Sequence, residues 1–152
     1  MSASFEEILA RDGILVYKTR GVSMEPMLRQ NRDLVAIRVP SSRLCRFDVA
    51  LYLRGEDHVL HRVIKVKDGC YLIRGDNTFS VETVPDAAVI GVLTGFVRKG
   101  KQHDVSERGY RFYARFWNGI YPLRAAIFHR RRLPGRAARK IGIKRKGAGK
   151  NG

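Results

Sequence analysis

The sequence predicts a mainly β protein: an antiparallel β core preceded by a short helix and followed by a basic helical tail. Three observations carry that expectation. Apolar runs between Ile14 and Arg98 are short, of strand length, and rich in Val, Ile, Leu and Tyr. Turn-forming clusters separate them at close intervals: Arg54-Gly55-Glu56-Asp57, Asp68-Gly69, Gly75-Asp76-Asn77 and Pro85-Asp86. From Leu34 onward the runs are separated by turn signals and not by helical patterns, so neighbouring strands are expected to pair antiparallel rather than through helical crossovers.

The elements follow in order. Ser4-Phe5-Glu6-Glu7 has the Ser-x-x-Glu form in which hydroxyl and carboxylate each satisfy the other residue's backbone amide. Ile8, Leu9 and Ala10 continue a short helix, and Gly13 is placed to stop it. Ile14 to Tyr17 reads as a strand leading into Gly21. Further strands are expected at about Leu34 to Val39, Val49 to Leu53, Val59 to Lys67, Cys70 to Arg74 and Val89 to Arg98. Period-two alternation in the Val59 to Lys67 run would put His61, Val63 and Lys65 on one face and His58 on the other.

With 152 residues the chain suits one domain of ordinary size. Its net charge of +16 is unevenly spread. Lys and Arg number 13 against 12 Asp and Glu in residues 1–97, but 17 against 2 in residues 98–152. Charge therefore divides the chain near Arg98, into a charge-balanced portion (1–97) and a basic, aromatic segment with a solvated end (98–152). In the second portion Tyr113, Phe116, Trp117, Ile120, Ile127 and Phe128 recur at helical spacing among arginines, with Pro122 expected to kink the helix. Such a segment suits an anionic membrane surface, with nucleic acid the competing partner and a helix packed on the β core the plain alternative. Cys45 and Cys70 are too few for a disulfide framework or a clustered zinc site. Neither a cleavable leader nor a spanning helix is expected from these residues, and a peripheral membrane-associated or cytoplasmic location is expected.

One stretch stands apart, Gly21-Val22-Ser23-Met24-Glu25-Pro26-Met27-Leu28. Glycine permits close backbone approach and proline restricts a dihedral, so the turn can aim the Ser23 hydroxyl. A serine there can equally serve as a helix cap. A hydroxyl becomes a useful nucleophile when a base removes its proton, and a histidine titrates near neutrality. His61, between apolar Leu60 and Val63 apart from Arg62, is the candidate base. Lys65 lies about 13 Å further along an extended strand, so His61 and Lys65 cannot both serve the same hydroxyl.

In these pieces and their order the chain resembles the signal peptidase I superfamily, which includes self-cleaving domains of the LexA type. The resemblance rests on Gly21-Val22-Ser23-Met24-Glu25-Pro26, Asn31-Arg32-Asp33-Leu34-Val35, His61-Arg62-Val63, Gly75-Asp76-Asn77 and Ile90-Gly91, covering about Gly21 to Val97. It implies a serine endopeptidase with Ser23 as nucleophile and His61 as base, as in the endoplasmic-reticulum type, where most bacterial relatives have lysine. It further implies a carboxylate that orients His61. Glu82, six residues beyond Asp76, is one candidate and Asp76 the other, the latter also suited to a structural turn role. The Ser23 amide would donate to the oxyanion, and Gly21 stands where many relatives carry a second, serine donor. Asp33 would brace the loop behind the nucleophile. The implied partner is an extended peptide or precursor protein; no cofactor and no metal is expected. Two other readings stay open: a LexA-like self-cleaving regulatory domain, and a non-catalytic basic binding module.

Overall fold

The computed structural model describes residues 2–132. It is mainly β, an antiparallel sheet of eight strands: β1 (Ile14–Lys18), β2 (Leu34–Arg38), β3 (Val49–Arg54), β4 (Asp57–Lys67), β5 (Cys70–Arg74), β6 (Glu82–Pro85), β7 (Val89–Arg98) and β8 (Lys101–Asp104). Helix α1 (Phe5–Asp12) precedes them, and α2 (Arg108–Gly119) and α3 (Tyr121–Arg132) follow. The strand order is β1-β2-β7-β3-β4-β5-β6, with β8 pairing the far half of β7.

Local chemistry accounts for the elements. Helix α1 has the expected reciprocal cap, with the Glu7 amide donating to Ser4 Oγ and the Ser4 amide to Glu7 Oε2, and Gly13 ends it at φ +71°. Two-residue turns at Gly55-Glu56 and Asp68-Gly69 close the β3–β4 and β4–β5 hairpins, since Arg54 pairs Asp57 and Lys67 pairs Cys70. The central strand β3 is a continuous apolar run because both of its faces are covered. Val49 and Leu51 join a core with Leu15, Met27, Leu28, Val35 and Ile37, while Ala50 and Tyr52 join another with Val63, Tyr71, Ile73 and Val84.

The sheet also curls. Tyr52 on β3 and Glu82 on β6 are separated by β4 and β5, about 14 Å across a flat sheet at the usual strand spacing. Their side-chain oxygens are nevertheless 2.7 Å apart. The face carrying Ala50, Tyr52 and Val63 is therefore concave.

Three findings refine the sequence reading. Strands β6 and β8, four residues each, were not expected; both carry polar residues and are short enough that alternation gives little signal. Lys65 does not share a face with His61. Val63 pairs Ile73 and Lys65 pairs the next residue, Leu72, so Ile64 is an extra residue that reverses the alternation beyond it. Pro122 lies in the first turn of α3 rather than inside a continuous helix, where its missing amide is tolerated.

The step in charge near Arg98 and the edge of packing fall in different places. The first compact unit runs to Asn118, taking in β8 and nearly all of α2, and α3 belongs to a second unit. No helix among the described residues is long and apolar enough to cross a membrane. The solvated end expected beyond α3 lies outside the described residues. Cys45 is exposed and Cys70 half-buried, and both are free thiols.

Gly91 marks where β7 is squeezed between β2 and β3. A Cβ there would stand 2.3 Å from Ile37 Cγ2. Gly91→Ala is expected to destabilise the fold by about 1–3 kcal/mol through overpacking, read as a lower urea midpoint with unchanged slope.

Candidate active site

The turn bearing Ser23 is fixed from both sides. Beneath it, Met24, Met27 and Leu28 are buried in the core, so the methionines flanking the motif are anchors. Within it, the Glu25 amide donates to the Val22 carbonyl and the Leu28 amide to the Met24 carbonyl. Behind it, Asp33 is wholly buried and accepts from the Arg29 amide and both arms of the Arg32 guanidinium. The brace expected of Asp33 is therefore present.

On the open side, the segment following β5 holds the turn in place. The Asn77 amide donates to the Ser23 carbonyl at 2.8 Å and its Nδ2 to the Val22 carbonyl at 3.0 Å. Gly75 is the contact point between this segment, the serine turn and the histidine. A Cβ on Gly75 would lie 2.7 Å from the Ser23 carbonyl oxygen and 3.1 Å from both Cδ2 and Nε2 of His61. Only a residue without a side chain fits between them.

His61 is positioned by sheet register. It pairs with Ala50 across the β3–β4 ladder and so shares the concave face with Tyr52, two residues on. Its Nδ1 is 3.2 Å from the Tyr52 hydroxyl, and that hydroxyl donates to Glu82 Oε2 at 2.7 Å. Glu82 is in turn ion-paired to Arg54, the last residue of β3. The structure thus brings Ser23, His61 and Glu82 to the wall of one cleft of about 1040 Å³, together with Arg54 and the run from Tyr17 to Arg20. No described residue hydrogen-bonds the Ser23 hydroxyl or His61 Nε2.

Asp76 is placed otherwise. Its carboxylate takes both arms of the Arg62 guanidinium at 2.8 Å and the Tyr113 hydroxyl at 2.9 Å, and its backbone carbonyl accepts from Trp117 Nε1. Arg62 follows His61 on β4 and points to the opposite face, where it also reaches the Phe47 carbonyl, the Tyr110 hydroxyl and Met27 Sδ. Both partners of this ion pair are buried. Of the two carboxylates considered for orienting His61, Glu82 is the one linked to the ring by hydrogen bonds, through Tyr52. The sequence reading missed Tyr52, although a signal existed: it lies near the end of β3, on the face and close to the level at which His61 is expected.

Of the two backbone positions considered as oxyanion donors, the Gly21 amide is already engaged by Gln30 Oε1 at 3.1 Å. The Ser23 amide donates to no described group. His58, on the other face of β4, packs on Phe5 and meets Glu6 Oε1 at 3.0 Å.

Electrostatics set the state of the imidazole. Burial pushes the His61 pKa below its ordinary value, the Glu82 carboxylate opposes that, Arg54 reinforces it, and Asp76 opposes it at longer range. The net effect keeps His61 neutral, with a free lone pair, at neutral pH. Arg62 is shifted the other way. Burial disfavours its charge, but Asp76 outweighs that and holds the guanidinium ionised.

No protein-family model matches the sequence, and no curated protein matches it.

Removing Asp76 would leave Arg62 charged and unpaired in the interior. Asp76→Ala is therefore expected to cost about 3–5 kcal/mol of stability, measured by urea unfolding, whereas Glu82→Ala, at the cleft wall, should cost less than half as much.

Proposed function

We propose that this protein is a serine endopeptidase of the signal peptidase I kind, cleaving an extended peptide or precursor with Ser23 as nucleophile and His61 as general base. The observation that carries the reading is the meeting at Gly75. The serine turn and the Nε2 edge of His61 both abut that glycine, and both open on one cleft. Nε2 would take the hydroxyl proton as Ser23 Oγ attacks a peptide carbonyl, and would return it to the leaving amine. The Ser23 amide would donate to the oxyanion. Resting hydroxyl–imidazole contacts are commonly looser than those made with substrate bound, so a shared cleft is the relevant geometry.

Strand β1 supplies a route for the substrate. Among the described residues it is the last strand on its side of the sheet, with Val16 exposed, and its end from Tyr17 onward lines the cleft. An extended peptide added to that free edge would present alternate side chains to the cleft and run toward Ser23.

The test is direct. Ser23→Ala should lose labelling by a fluorophosphonate probe and lower kcat/KM on a cleaved peptide by on the order of 10⁴-fold or more. His61→Ala should lower it by about 10²–10⁴-fold. Because the base must be neutral and its pKa is held down, the acid limb of kcat/KM should lie below the ordinary histidine value of 6.5. Equal labelling of native and Ser23→Ala protein would leave a basic binding module instead.

For the partner surface, we propose an anionic lipid bilayer at α2. The helix turns Tyr110, Tyr113 and Trp117 inward and leaves Phe112 and Phe116 exposed and stacked on each other, 5.7 Å between ring centres. Arg108, Arg111 and Arg115 are exposed on the same outer side, and no acidic residue occurs in the helix. Aromatic rings insert at the headgroup level, and each nearby arginine adds about 1 kcal/mol at an anionic surface. In flotation with the full chain, vesicles of phosphatidylcholine with phosphatidylglycerol should carry the protein, pure phosphatidylcholine should not, and Phe112→Ser with Phe116→Ser should reduce the bound fraction at least threefold. Binding to a DNA oligomer while both vesicle types are ignored would assign the charge to nucleic acid.

A further inference from the structure

We infer that Tyr52 is a positioning residue: its hydroxyl, fixed in direction by Glu82, holds the proton of neutral His61 on Nδ1 and thereby leaves Nε2 as the basic nitrogen facing Ser23. The inference rests on the proposed use of His61 as a base, but the hydrogen-bond logic beneath it does not.

The logic follows from counting donors. An ionised carboxylate can only accept, so the short contact between the Tyr52 hydroxyl and Glu82 Oε2 must use the single tyrosine proton. Burial and the nearby Glu82 charge both raise the Tyr52 pKa, so that proton stays in place over the working range. With its hydrogen committed, the tyrosine oxygen has only lone pairs to offer Nδ1, 3.2 Å away. The pairing is satisfied only when Nδ1 carries the hydrogen. In neutral imidazole the other nitrogen is then unprotonated, and Nε2 is the one beside Gly75 and the serine turn.

Arg54 completes the device. It engages both oxygens of Glu82, which keeps that carboxylate aimed. The ionic groups around the ring are Glu82 from β6, Arg54 from β3 and Asp76 from the segment after β5. Glu82 is joined to the ring through the neutral Tyr52 hydroxyl, and Arg54 bears on that same hydroxyl. During proton abstraction the serine proton would move to Nε2, Nδ1 would keep its own, and the tyrosine would remain un-ionised; the only proton that moves is the one from serine.

The same counting predicts an inversion. In Glu82→Gln the amide oxygen would stay with Arg54 and the amide NH₂ would face Tyr52. The tyrosine would then accept from Gln and turn its own hydrogen toward Nδ1, forcing the imidazole proton onto Nε2 and removing the lone pair from the serine side.

The experiment reads the tautomer directly. Long-range proton–nitrogen correlation NMR on the full, ligand-free chain, at a pH where His61 is neutral, should show protonated Nδ1 and bare Nε2. Tyr52→Phe should lose that preference, and Glu82→Gln should reverse it. In a peptide assay Tyr52→Phe should lower kcat by about 10- to 100-fold with KM moved less than twofold, and adding Glu82→Gln to it should change little further. Protonated Nε2 in the native protein, or the native tautomer retained in both variants, would overturn the inference. If the tautomers behave as stated while no peptide is cleaved, the positioning stands and the protease reading falls. Thermal melts of both variants show whether each is folded, and either one suffices for the tautomer readout.

Discussion

The arrangement of the cleft depends on a buried ion pair that never enters it. Arg62 and Asp76 are almost wholly removed from water, and such a pair contributes little net stability by attraction alone, because desolvating both charges offsets most of it. What it supplies is register. The guanidinium is shared among Asp76, the Phe47 carbonyl and the Tyr110 hydroxyl, so one side chain joins β4, the loop before β3, the segment after β5 and α2. Any slip among these would leave a charge in the interior without a partner. The penalty for that is large, so the alternatives are excluded.

Because side chains on a strand alternate, this lock sits directly against the cleft without occupying it. His61 and Arg62 are consecutive on β4 and point to opposite faces, the first into the cleft and the second to the ion pair. A similar division recurs in the three residues after β5. Gly75 meets His61 and the Ser23 carbonyl, Asp76 takes Arg62, and Asn77 ties down the serine turn. Helix α2 repeats it on a helical period, with Tyr110, Tyr113 and Trp117 reaching the ion pair or the Asp76 backbone while Phe112 and Phe116 face outward. The basic, aromatic segment thus begins as part of the packed unit, which is why the change in composition near Arg98 precedes the edge of that unit at Asn118.

How much of this is legible in the sequence depends on how local the determinant is. The longer strands, the capping box of α1 and the Asp68-Gly69 turn are written in nearest-neighbour chemistry and fall where the residues suggest. Placing Ser23 and His61 near each other required matching separated motifs, and the structure puts both at Gly75. What the sequence could not supply was set by curvature and by pairing. Ile64 reads like any apolar strand residue, and only its lack of a partner on β5 shows that it shifts Lys65 to the other face. Tyr52 reads as core, which it is, and only the curl of the sheet brings Glu82 from three strands away to its hydroxyl. A carboxylate six residues past a turn says nothing about which strand it will join.

An interposed tyrosine also changes what the carboxylate does to the ring. A carboxylate bonded directly to Nδ1 stabilises imidazolium strongly and raises the histidine pKa. Here Glu82 is one hydroxyl further away and is already paired with Arg54, whose own charge acts against protonation of the ring. Burial is therefore the dominant influence, and the imidazole is held neutral. The two requirements on the proposed base, a defined tautomer and a free lone pair, would be met by different means: hydrogen-bond direction for the first and desolvation for the second. Under the proposed reaction, imidazolium formed during attack would be less stabilised at rest than beside a bare carboxylate, so the proton taken from Ser23 would be passed on readily to the leaving amine. That exchange suits a base that must give up its proton within the same turnover.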